Sequence, residues 1–154
     1  MQDIDIVRAF LAAVEAKDFH TAATYLSNTF VLHGNVSTQP GKYMYLGLLT
    51  GLALGFPDYS FHIHHIHAQG STIEVTVQFT GTHTGLLNLS LAVSGLTAIP
   101  PTGKKLSRLD YCLAFTLREG KIVRANLDHG EDSIFLWILQ QLDLAFPAAS
   151  QRDR

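Results

Sequence analysis

A single cysteine, Cys112, in a chain of 154 residues excludes an internal disulfide and fits a reducing compartment. Runs of like charge are absent and the formal charge is only −2, which removes the electrostatic case for a nucleic-acid partner or an anionic membrane surface. The longest apolar run, Met44–Phe56, is too short to span a bilayer and is interrupted by Gly47, Gly51 and Gly55. The start, Met-Gln-Asp-Ile-Asp, lacks the basic residues of a signal peptide. A soluble, cytoplasmic protein is expected. Charged residues are scarce at 16% against 47% hydrophobic, too apolar a balance for disorder. Without an internal repeat or low-complexity segment, the chain reads as one domain over residues 1–146 with a polar tail at 147–154.

What is present falls into two periods. Ile4, Val7, Phe10, Leu11 and Val14 recur at helical spacing, predicting an amphipathic helix over 3–16 capped by Asp3 or Asp5. Asp18 caps a short second helix over 18–26, and a brief strand follows at Asn28–His33. A third helix over about 42–54 is apolar nearly all round, so deep burial is expected. From Asp58 the period becomes two. Strands are predicted at Tyr59–Ala68, Thr72–Thr82, Leu106–Arg118 and Lys121–His129, with turns at Gly70-Ser71 and Glu119-Gly120. A last helix begins at Asp132 or Ser133. The fold class is α+β: a curved antiparallel sheet wrapped around N-terminal helices, a cone-shaped barrel with a central pocket.

Between the second and third long strands lies Gly81–Lys105, GTHTGLLNLSLAVSGLTAIPPTGKK, whose middle is unusually apolar for a loop. Leu86–Ala98 is expected to cover a pocket mouth or a dimer seam, because its leucines would otherwise be exposed together. His83 has the parity of Phe79, which aims it at the core-facing side near the strand end.

Phe56-Pro57-Asp58, Gly81-Thr82-His83-Thr84-Gly85, Ile99-Pro100-Pro101-Thr102-Gly103-Lys104 and Gly120-Lys121-Ile122-Val123 occur in the order found in the SnoaL-like polyketide cyclases. The chain resembles that family, of nuclear-transport-factor-like fold, over roughly residues 5–130. The resemblance implies a site without cofactor or metal, in which an aspartate acts as general acid/base, with histidines nearby, to close a ring by intramolecular aldol condensation. It also implies a small hydrophobic molecule as ligand and a homodimer. His83 stands at the family's Gly-Thr-His-Thr-Gly position. The family's catalytic aspartate falls at Leu127 here, with Asp128 one residue later, and a second family histidine falls at Leu113. A one-residue shift turns a strand side chain to the opposite face unless a bulge restores it.

The candidate acid/base residues are therefore His83, Asp128 and His129, the last sharing the parity of Val123, Ala125 and Leu127. Each has a structural alternative: a hydrogen-bonded strand-end histidine for His83, a loop or helix cap for Asp128. Tyr43, Leu46, Phe79, Tyr111 and Leu113 are the candidate ligand-binding residues, Tyr45 is a further possible hydroxyl, and aromatic residues at such spacing also serve as core. Arg108 and Asp110 are expected as a solvated pair on the opposite face. His62, His64, His65 and His67 form two i, i+2 pairs on one strand, but no cysteine or carboxylate has matching spacing, so no metal is assigned. Two function classes stand: cofactor-free acid/base catalysis on a small hydrophobic carbonyl compound, by cyclisation or related isomerase or hydrolase chemistry, and a non-catalytic small-molecule-binding or dimerisation module on the same fold.

Overall fold

The computed structural model describes residues 2–34, 41–88, 97–127 and 134–142, the side chains at 34, 107–109, 111, 127 and 134–137 lying outside the description. In chain order the elements are α1 (Asp3–Glu15), α2 (Phe19–Ala23), β1 (Leu26–Gly34), α3 (Lys42–Gly55), β2 (Ile63–Gln69), β3 (Thr72–Thr82), β4 (Lys105–Arg118), β5 (Lys121–Leu127) and α4 (Ile134–Gln141). The expected caps of α4, Asp132 and Ser133, and the tail at 147–154 lie outside the described residues. No helix among the described residues is long and apolar enough to cross a membrane.

The apolar stripe of α1 buries Ile6, Val7, Phe10, Leu11, Ala13 and Val14. Its N-cap is Gln2, not Asp3 or Asp5; Asp5 instead reaches back to accept the Gln2 N–H at 3.0 Å. At the other end Lys17 takes a left-handed conformation (φ 61), and the N–H groups of Lys17 and Asp18 close on the carbonyls of Val14 and Ala13. A side chain in that conformation costs roughly 1–2 kcal/mol. The Lys17 ammonium, 4.4 Å from the centroid of the Tyr59 ring, offsets part of this, while the Tyr59 hydroxyl donates to the Val14 carbonyl. Asp18 then caps α2, accepting from the Thr21 N–H at 3.2 Å and hydroxyl at 2.7 Å.

The sheet runs β1-β5-β4-β3-β2, and its end strands are not paired to each other. All neighbours are antiparallel except β1 and β5, which are parallel; the last strand lies beside the first and runs in its direction. Every pairing carries a register shift, and such irregularities bend a sheet more strongly than a regular ladder. One shift changes a parity. Leu117 pairs with Ile122 and Thr116 with Arg124, so Val123 is the extra residue; Ile122 and Ala125 are fully buried while Val123 is half-buried. The ladder of β2 begins at Ile63, later than Tyr59, and is preceded by an isolated Ser60–Thr80 bridge; Glu15 of α1 accepts from the Phe61 N–H at 2.9 Å and the Ser60 hydroxyl at 2.8 Å.

On β3, Ile73, Val75, Val77 and Phe79 face the core and alternate with more exposed Glu74, Thr76, Gln78 and Thr80. They meet fully buried Phe10, Phe30, Phe56 and Phe115, with Tyr45 stacked 6.3 Å from Phe10 and 5.1 Å from Phe30. Burial of α3 is less complete than its composition implies: Tyr43 and Leu54 are 75% and 64% exposed.

Candidate functional site

The end of α3 and the start of the apolar loop are in direct backbone contact. Gly85 donates its N–H to the Gly55 carbonyl at 3.1 Å, and a Cβ on Gly85 would lie 1.9 Å from the Leu54 carbonyl oxygen. A Cβ on Gly55 would meet Leu87 at 2.7 Å. Only glycine permits this approach. Asp58 fixes the end of β3 by accepting the Thr82 N–H at 2.7 Å, and that bond holds its carboxyl below the ordinary carboxylate range. The hairpin then continues past the strands. His83 N–H donates to Lys104, Gly103 N–H donates to His83, and Leu87 and Ile99 exchange bonds at 3.0 and 2.8 Å.

His83 sits at the centre of this construction. Its side chain is 0% exposed, and its ring lies 5.4 Å from that of Phe56. The backbone N–H of Thr102 donates to Nδ1 at 3.2 Å, so Nδ1 is an acceptor and the neutral ring carries its proton on Nε2. The Thr102 hydroxyl donates to the same Nδ1 at 2.9 Å and accepts the Lys104 N–H at 3.3 Å. Nε2 is buried without a hydrogen-bond partner among the described residues. Burial lowers the His83 pKa from its ordinary value, the nearby carbonyls of Ile99 and Gly85 offsetting part of that shift. The ring is therefore neutral at neutral pH, and its Nε2–H has no hydrogen-bond partner among the described residues.

The other sequence candidates divide. Leu46, Phe79 and Leu113 are buried in the same core. Tyr43 does not join them. It is exposed, with the Lys42 ammonium 5.4 Å from its ring, because the face of α3 that carries it turns away from the sheet. Tyr45 is buried, and burial raises its phenol pKa. The Tyr111 side chain, Asp128, His129 and loop residues 89–96 lie outside the described residues. Asp110 is exposed and accepts from Gln78 at 2.9 Å, on the outer face as expected; the Arg108 side chain is not described. Thr102 is the residue that sequence reasoning passed over: its motif was visible, its bond to a histidine 19 positions earlier was not.

A separate cavity of about 380 Å³ opens between α1 and β2, lined by Leu11, Phe61, Ile63 and Ile66 with Arg8 and Glu15 at its polar edge. Glu15 is already engaged by Ser60 and Phe61.

The model of the SnoaL-like domain matches residues 7–125, most of the chain. The protein is a member of the SnoaL-like family. No curated protein matches it. Among solved structures, this SnoaL-like chain resembles a candidate SnoaL-like polyketide cyclase from Jannaschia sp. CCS1, with TM-score 0.71 and 14% identity over 92% of each chain. It also resembles IdmH of Streptomyces antibioticus, a candidate polyketide cyclase, with TM-score 0.68 and 21% identity over 94% of this chain and 100% of that one. AclR of Streptomyces galilaeus, a candidate hydroxylase, gives TM-score 0.69 and 17% identity over 90% and 93%. At such identities the likeness establishes the shared cone-type fold. In this SnoaL-like protein Leu113, 5% exposed, is part of the apolar core, and the buried polar or charged side chain among the described residues is His83.

Proposed function

We propose that this SnoaL-like protein is a cofactor-independent acid/base catalyst acting on a small hydrophobic carbonyl compound, with aldol-type cyclisation as the leading reaction. The observation that carries the reading is the Nε2 of a fully buried, neutral His83, which has no hydrogen-bond partner among the described residues. A buried N–H without an acceptor costs roughly 1–3 kcal/mol, which a substrate oxygen would recover. In this reading the Nε2–H donates to the substrate carbonyl. Asp128 takes the proton from the carbon beside it, and the enolate electron pair attacks a second carbonyl in the same molecule. The proton held by Asp128 then passes to the new alkoxide, so ring closure consumes and releases nothing. His129 takes the role of base if Asp128 faces outward. Apolar walls that include Phe79, Leu46 and Leu113 keep the substrate folded. Because Nε2 is closed off from solvent, binding has to open a path to it.

The alternative, a binding or dimerisation module on the same fold, is favoured by Leu113 and Leu127 at the family's catalytic places and by the firm tie of His83 to Thr102. One experiment separates the two. The protein is screened against aromatic polyketides and other carbonyl ligands by thermal shift, and hits are then assayed for turnover with wild type and Asp128→Asn. The catalytic reading expects turnover that falls about a hundred- to ten-thousand-fold in Asp128→Asn while ligand binding survives. Ligand binding without turnover in wild type would establish the module; full turnover in Asp128→Asn would move the base to His129.

A further inference from the structure

The strand histidines have an arrangement that their spacing alone does not reveal. His65 Nε2 lies 3.0 Å from His67 Nδ1 on the outward face of β2, their rings 4.9 Å apart. Across the ladder His67 pairs with Glu74, and its Nε2 lies 3.4 Å from the Glu74 carboxylate. The protonation pattern follows. A proton on His67 Nε2 would face the Glu74 carboxylate, which would leave the Nδ1 lone pair toward His65 and put the proton between the two rings on His65. Both His67 and Glu74 are nearly half exposed, so an ion has access from solvent.

We propose that His65 and His67 form a two-nitrogen chelate for a divalent transition metal of tetragonal preference, Cu(II) above all, with Glu74 as the outer carboxylate that fixes the His67 tautomer. With metal–imidazole bonds of about 2.0–2.1 Å, the 3.0 Å separation of the two nitrogens subtends about 91–97° at the ion. Once the shared proton has left and both rings have turned to aim their lone pairs at one ion, that angle matches adjacent positions of a square-planar or tetragonal ion and falls short of the tetrahedral angle that zinc prefers. Cu(II) also stands highest in the usual affinity order. No group of three His, Cys, Asp or Glu side chains able to hold a metal occurs among the described residues, so water completes the coordination. A histidine ligand that donates its other N–H to a carboxylate is the common outer arrangement of metal sites. Binding displaces the shared proton, which moves through solvent to Nδ1 of His65, and no electron transfer is involved. His62 is not part of the chelate; it is engaged with the Thr80 hydroxyl at 3.1 Å.

The test uses the full chain without an affinity tag, freed of metal and titrated with Cu(II) under calorimetry and electron paramagnetic resonance. One equivalent is expected, with nitrogen splitting in the equatorial plane. His65→Ala and His67→Ala should each abolish that equivalent, and Glu74→Gln should weaken it about ten- to a hundredfold. A His62→Ala/His64→Ala variant should bind as wild type does, and circular dichroism should be unchanged throughout because these positions are exposed or, for His67, half-buried on the outward face. The proposal is overturned by failure of wild type to bind, by an equivalent that survives in His65→Ala/His67→Ala, or by equal loss in His62→Ala/His64→Ala.

Discussion

At the scale of the residue, His83 carries two roles on two nitrogens, and substitution can separate them. Nδ1 ties the end of β3 to Thr102, and Nε2 is a donor without a partner among the described residues. Asn places a polar atom near the position of Nδ1, whereas Gln reaches toward Nε2. His83→Asn should therefore keep most of the melting temperature and lose ligand binding. His83→Leu leaves both Thr102 donors without their acceptor and should cost about 1–3 kcal/mol, read by denaturant unfolding. Equal ligand affinity in His83→Asn and wild type would assign His83 a purely structural role. The pH dependence has a definite sign. The folded pKa of His83 is depressed, so below the ordinary histidine value the unfolded chain binds a proton that the folded chain does not. Stability from this group is full above about pH 6.5 and is lost as pH falls from there through the lower folded value, by at most about 1.4 kcal/mol per pH unit. Melting curves between pH 8 and 5 should show that loss in wild type and a shallower one in His83→Asn. Asp58 acts in a lower window: its depressed pKa contributes stability that disappears only as pH falls below its ordinary value near 3.8.

Among the elements, the junction of α3 with the loop is the least tolerant place. Gly85→Ala sets a methyl group 1.9 Å from a backbone oxygen that no rotamer change can move. Overpacking of this kind costs about 1–3 kcal/mol or more, which at this chain length is a fall of several degrees in melting temperature by calorimetry. An unchanged melting temperature would mean that the contact is not made in solution. Gly103→Ala, by contrast, meets no neighbour and carries only the strain of φ +75, so it should be milder. The strands and helices themselves were legible from periodicity, since burial repeats at 3.6 in α1 and at two in β3. What periodicity could not supply was the place where a ladder stops or slips. An isolated Ser60–Thr80 bridge precedes the ladder of β2, and an extra Val123 resets the inward face of β5; alternation along one strand carries no signal for either. The parallel seating of β1 beside β5 is of the same kind. At the site, the parity of Phe79 correctly predicted an inward His83, and the Pro-Pro-Thr-Gly motif marked the turn that meets it. The exposure of Tyr43 was not legible, because a helix that is apolar all round gives no signal for which side faces out.

For the molecule as a whole, the outer face of the sheet has to be accounted for. On β3 and β4 that face presents Thr76 beside Cys112, their polar atoms 3.5 Å apart, with Ala114 flanking them opposite Glu74. These central residues are small, uncharged and half-buried, while charged Glu74, Asp110, Arg118 and Arg124 lie around them and are exposed. A small, weakly polar centre inside a charged rim is the anatomy of a protein interface, where charge is depleted at the middle and retained at the edge. We infer a homodimer through this face, with about 1,200–2,000 Å² buried in total if it is stable at micromolar concentration. Ala114→Arg should split it, because a guanidinium at the centre has no partner and must be desolvated. The residue is only partly buried in the single chain, so the melting temperature of the resulting monomer should reflect loss of the partner alone. Cys112 provides a second readout. In the dimer its thiol is shielded and should react slowly with a maleimide, and dilution or Ala114→Arg should speed the reaction. Sedimentation equilibrium that finds wild type monomeric at micromolar concentration, with Cys112 equally reactive in both proteins, would rule the dimer out and leave the outer face open to solvent.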